Sequence, residues 1–148
     1  MSNFVYLGIF ILSMYLLQYF FTFLQMNSFR DYFNKYIKDG KVAIGIKKGA
    51  IRAGAIVMFS VDELGNIKKY AYIHGVSVFA RFKEKDLFRN ANIKDLDEEI
   101  LNELKIEKNI RLAILNARNN FIKAENGEEI KMEKSPLQKA FGFFRNRK

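Results

Sequence analysis

Cysteine and tryptophan are missing from the 148 residues, and proline and histidine each occur once, as Pro136 and His74. Without cysteine there is no disulfide framework, no thiolate zinc site and no cysteine nucleophile. A single imidazole does not make a histidine-based metal site, and no cofactor is expected. Lys and Arg are absent before Arg30, and Leu24-Gln25-Met26-Asn27 offers no small-residue cleavage site. A cleaved secretory signal, which needs a basic start and such a site, is therefore not expected. No long Gly/Ser-rich linker interrupts the chain, so most of it reads as one unit. Acidic residues are in deficit, 16 against 25 Lys and Arg, and the formal charge of +9 calls for an acidic counterpart. Anionic lipid, nucleic acid and an acidic protein all qualify.

What is present begins with Phe4 to Leu24, a run without a charge and with only Ser13, Gln18 and Thr22 as clearly polar interruptions. As a helix rising about 1.5 Å per residue it is about 30 Å long, the thickness of a hydrocarbon core. A single uncleaved transmembrane helix is expected; a buried core helix is the alternative. Arg30, Lys35, Lys38 and Lys41 follow the run and none precedes it, which predicts the N-terminus outside and the body in the cytoplasm. Gln18, Thr22 and Gln25 recur at helical spacing and suit either another membrane helix or, more simply, the inner interface. The domain reading is 1–28 anchor, 29–126 cytoplasmic domain and 127–148 charged tail.

Phe29, Tyr32, Phe33, Tyr36 and Ile37 share one helical stripe, so the helix should continue to about Lys38 and stop at Asp39-Gly40. From Lys41 the period changes to two. Val42, Ile44 and Ile46 alternate with Ala43, Gly45 and Lys47, and a second alternation runs from Ile51 to Val61. Asp62-Glu63-Leu64-Gly65-Asn66 has hairpin composition, and two further strands are expected at Ile67–Ile73 and Val76–Phe82, around His74-Gly75. Two amphipathic helices should cover one apolar face. The first is expected to be capped by Asp95, with Leu96, Ile100, Leu101 and Leu104 inward; the second carries Ile110, Ala113, Ile114, Ala117 and Phe121 and ends at Asn126-Gly127. The fold class is α+β: a transmembrane helix, then a four-stranded antiparallel sheet packed with two or three helices. In the tail, Leu137, Ala140, Phe141 and Phe144 lie beside Lys139, Arg145, Arg147 and Lys148, which suits an anionic membrane surface or a basic tail.

Catalytic machinery is not legible. The glycines at 40, 45, 49 and 54 lack phosphate-loop spacing, the acidic run from Asp95 to Glu107 lacks calcium-loop alternation, and His74 has no evident carboxylate beside it. Aromatic residues Tyr70, Tyr72, Phe79 and Phe82 interleave with Lys68, Lys69, Arg81 and Lys83, a composition compatible with nucleic acid. No helix-turn-helix pattern accompanies it, and the membrane accounts for much of the charge.

The strings GKVAIGIKKG, VDELGNI and HGVSVFARF, read in that order, resemble the GutM family of glucitol operon activators. The matching positions are Gly40, Val42, Gly45, Gly49, Asp62, Gly65, Gly75, Val78, Phe79, Ala80 and Arg81, with Ser77 where threonine is expected. The resemblance covers about Phe29 to Ile122 and leaves the tail outside. It implies positive regulation of a sugar-alcohol uptake operon together with a repressor and a phosphotransferase transporter, but supplies no DNA-reading element. A non-catalytic regulator acting through a protein partner is the reading that follows, with an accessory subunit of the transporter as its rival. Phe79, Arg81, Lys83, Tyr70 and Tyr72 are the candidate partner contacts, and Lys139, Phe141, Phe144, Arg145 and Arg147 the candidate membrane-surface residues.

Overall fold

The computed structural model describes residues 2–49, 54–75 and 80–130. Helix α1 (Ser2–Ile37) is unbroken over 36 residues. Large apolar side chains from Phe4 to Phe23 project outward on every side, Phe4 being 82% and Tyr19 70% exposed. The hydroxyls of Ser13 and Thr22 donate to the carbonyls of Ile9 and Gln18 one turn back, at 2.8 and 2.9 Å, so neither leaves an open donor in the run. The Gln25 side chain lies outside the described residues. The helix stops at the expected glycine: Gly40 has φ 155°, and a Cβ there would overlap the Val61 carbonyl oxygen.

Strands β1 (Lys41–Lys47), β2 (Gly54–Val61), β3 (Ile67–Gly75) and β4 (Lys83–Lys85) form an antiparallel sheet in sequential order. The register pairs Ile44 with Met58, Met58 with Ala71, and Ala71 with Glu84. Because side chains alternate, both faces are apolar. Ala43, Ala55, Val57, Phe59 and Tyr70 meet helix α3 (Lys108–Glu125) in the larger core. Val42, Ile44, Ile56, Met58 and Ala71 gather with Phe29, Tyr32, Phe33 and Tyr36 of α1. The expectation of one apolar face is thus corrected: the stripe after the apolar run is the second cover. The α3 stripe is as expected, with Ile110, Ala113, Ile114, Ala117 and Phe121 all buried.

Two further corrections concern boundaries. Among the described residues the fourth strand is Lys83–Lys85, and Ala80, Arg81 and Phe82 of the expected one are not in it; His74 and Gly75 still pair with Ala55 and Gly54 and do not form the turn. Residues 76–79 lie outside the description. Asp97, not Asp95, caps helix α2 (Glu98–Glu103), its side chain accepting from the Ile100 amide at 2.8 Å. A short 3-10 turn, Ile93–Asp95, precedes it and is capped by Asn92. Leu96 and Leu101 are buried as expected, whereas Ile100 and Leu104 are exposed.

Candidate interaction site

The glycines singled out in the sequence set how closely the layers approach. At Gly45 a Cβ would overlap the Ala113 carbonyl oxygen and lie 2.8 Å from the Ala117 Cβ, so β1 and α3 touch backbone to backbone. Gly65, with φ 89°, turns the β2–β3 hairpin against Asn92 and Phe121. Asp62 closes the hairpin. Its Oδ1 accepts from the amides of Leu64 and Asn66 at 2.9 and 2.8 Å, and its Oδ2 from the Asn66 side-chain amide at 3.0 Å. These donors, the Asn66 side chain first, hold the Asp62 carboxyl below the usual carboxylate range. Gly75 has φ 141° at the end of β3, and Gly49 is exposed beyond β1.

β1 is a sheet edge, and α3 covers its outward backbone. The Ile46 amide donates to Asn116 Oδ1 at 2.9 Å, and Asn120 Nδ2 donates to the Ile44 carbonyl at 3.0 Å. Beside this clamp runs a groove of about 620 Å³ whose apolar lining includes Phe29, Val42, Ile44, Ile46, Ile56 and Ile130. The asparagine pair was not foreseen; its only trace in the sequence is the i, i+4 spacing on α3.

A second, more polar pocket of about 600 Å³ lies at the β3 end, among Tyr72, His74, Arg81, Lys83, Glu107 and Ile110. Gly75 and Ala80 complete its wall. His74 does have a carboxylate partner, correcting the sequence reading: Glu107 Oε1 lies 3.1 Å from Nε2, 33 positions on and so invisible to local spacing. The contact is an ion-pair distance without hydrogen-bond alignment, and Nε2 makes no hydrogen bond. Arg81 and Lys83 are exposed and have no acidic partner among the described residues.

The structure therefore brings Tyr72, Arg81 and Lys83 together, with Gly75 and Ala80 of the motif. Tyr70 leaves that group: it is 2% exposed and stacks on Phe59 at 4.9 Å, in the core. Burial raises its hydroxyl pKa. The Tyr72 ring faces the Lys85 ammonium at 5.4 Å. Phe79 and the tail residues Lys139, Phe141, Phe144, Arg145 and Arg147 lie outside the described residues. Phe82, the residue after Arg81, is the aromatic that meets α1, its ring 5.9 Å from Phe29 and 5.3 Å from Tyr32. Among the described residues no cluster of three or more His, Asp or Glu could hold a metal.

Compared with known families, the chain matches the model described as glucitol operon activator protein (GutM) over residues 6–114. The match starts inside the apolar run, crosses the whole sheet and ends in α3. No curated protein and no solved structure matches the chain.

Proposed function

Because the chain belongs to the glucitol operon activator family, we propose that it is a membrane-anchored, non-catalytic activator of a sugar-alcohol uptake operon, working through a protein partner at the inner face of the cytoplasmic membrane. The observation that carries this is a family match running without interruption from the apolar helix into the domain. An operon activator needs no reaction, and the polar pocket at the β3 end has a surface suited to recognition, with an aromatic ring and cations around one carboxylate. The apolar helix supports anchoring: its side chains from Phe4 to Phe23 are covered by no part of the domain, and lipid is the medium that removes them from water.

Cross-linking in membranes followed by affinity recovery of the full chain tests the proposal. Recovery of a repressor of the operon is the expected result. Recovery of transporter subunits alone would overturn it in favour of an accessory transporter role. Direct promoter contact, if it contributes, must weaken steeply with salt because phosphate binding releases counterions.

A further inference from the structure

The packing of α1 sets the height of the sheet relative to the end of the apolar run. Ser60 Oγ donates to the Tyr36 carbonyl at 3.2 Å, so Tyr36 lies level with Ser60. Phe29 gathers with Ile44 and Ile56 and lines the groove with Ile46, which pairs with Ile56. The seven helix residues between Phe29 and Tyr36 span about 10 Å. The four strand residues between Ile56 and Ser60 span about 13 Å. Helix and strands therefore run alongside one another, and β1 climbs back toward the N-terminal end of α1. Lys48, two residues beyond Ile46, stands about 7 Å higher. Going back along α1 by that height takes about four to five residues from Phe29, to Gln25 or Leu24, where the apolar run ends.

One end of the sheet is thus at the height of the bilayer surface, and its charge is one-sided. Lys47 and Lys48 end β1, and Arg81 leads into β4 beside Gly75. Neither Lys47 nor Arg81 has an acidic partner among the described residues, and Glu107 is the one carboxylate lining that pocket, against Lys47, Lys48, Arg81 and Lys83 at this end. Toward the other end acidic and basic residues are mixed: Asp39 pairs with Lys69, and Glu125 with Lys94 at 2.7 Å.

Resting on the membrane-anchored reading above, we infer that this end of the sheet, through Lys47, Lys48 and Arg81, docks on the anionic lipid headgroups of the leaflet that α1 leaves. Arg81 is then a lipid contact rather than the protein contact its motif suggests, which leaves Tyr72, Lys83 and Glu107 of the pocket for the protein partner. The cations lie within a screening length of the headgroups, where an anionic surface attracts basic side chains. The docked sheet leaves the hairpin around Leu64 as the outermost part of the domain, farthest from the lipid.

The test uses the full chain in liposomes. Because the protein has no cysteine, Gly49→Cys and Leu64→Cys each give a unique fluorophore site, one at each end of the sheet. Quenching by headgroup spin-labelled lipid should be strong at position 49 and weak at 64 when phosphatidylglycerol is present. It should fall at position 49 in pure phosphatidylcholine, in high salt, and in Lys47→Glu or Arg81→Glu. Each basic residue removed should lower the docked-to-undocked ratio about fivefold. Lys123→Glu, near the far end, should leave it unchanged. Equal quenching at the two positions, or quenching at 49 that ignores phosphatidylglycerol and salt, would overturn the docking. Salt acts on the unsubstituted lysines and arginine, so the result does not hinge on how a variant folds. Extraction of the protein by alkaline carbonate would instead overturn the anchored reading itself, and the docking with it.

Discussion

At Gly45 the backbone of β1 lies against that of α3, and a single added carbon has nowhere to go. Gly45→Ala must separate the strand from the helix, and the expected loss is at the upper end of the ~1–3 kcal/mol typical of overpacked cores. Thermal unfolding of the detergent-solubilised chain measures it; a change near zero would mean the layers are not held that close. Asp62 offers a different kind of test. Its folded carboxyl is depressed, so the stabilisation it gives is present above the ordinary value of about 3.9 and is lost as pH falls through the lower folded value. An NMR titration should therefore find Asp62 below that ordinary value, and Asn66→Ala, which removes the first of its donors, should move it back up. Both residues could be picked out in the sequence, Gly45 as a motif glycine and Asp62 by turn composition. The reason for Gly45 could not, because the Ala113 backbone that excludes a side chain there is 68 positions away.

Among the elements, β4 best shows where local pattern fails. VSVFARF has the look of a strand, whereas Lys83-Glu84-Lys85 has no apolar residue at all and pairs only because Tyr70, Ala71 and Tyr72 lie opposite. Just before it, Phe82 packs under α1. That placement was not legible, since its partners Phe29 and Tyr32 lie 53 and 50 residues earlier in the chain. By contrast α3 was legible throughout, because its stripe faces one continuous partner, the sheet. For α2 the competition between Asp95 and Asp97 as cap was settled by the need to bury both Ile93 and Leu96, which a 3-10 turn achieves before the helix starts. Phe82 is also one of the ties between α1 and the rest of the domain, buried beside Tyr36, Met58 and Ala71. The neighbouring Lys35–Glu84 pair, 2.7 Å apart but well exposed, contributes little in comparison. Phe82→Ala should cost about 3 kcal/mol, the low end for a large aromatic at the margin of a cluster. It should also raise hydrogen exchange in the last turns of α1, whereas Glu84→Gln should leave both nearly unchanged.

For the molecule as a whole, the basic residues that follow the apolar run predict which side of the membrane the domain occupies. Leu64→Cys, on an exposed hairpin, should react with a membrane-impermeant maleimide in inverted vesicles and not in right-side-out ones. Reaction in right-side-out vesicles would reverse the topology. The length of α1 then has a mechanical consequence. No proline or glycine interrupts it between Ile9 and Ile37, and its last turns are fastened to the sheet, so the helix has no joint where it enters the domain. Helices in bilayers tilt by about 20° on average, and by more where the hydrocarbon is thinner than the apolar run is long. In the anchored chain proposed above, which has no joint to absorb it, that tilt becomes the inclination of the whole sheet. Bilayer thickness would thereby act as an input to the protein, altering how the domain is presented without any ligand binding to it.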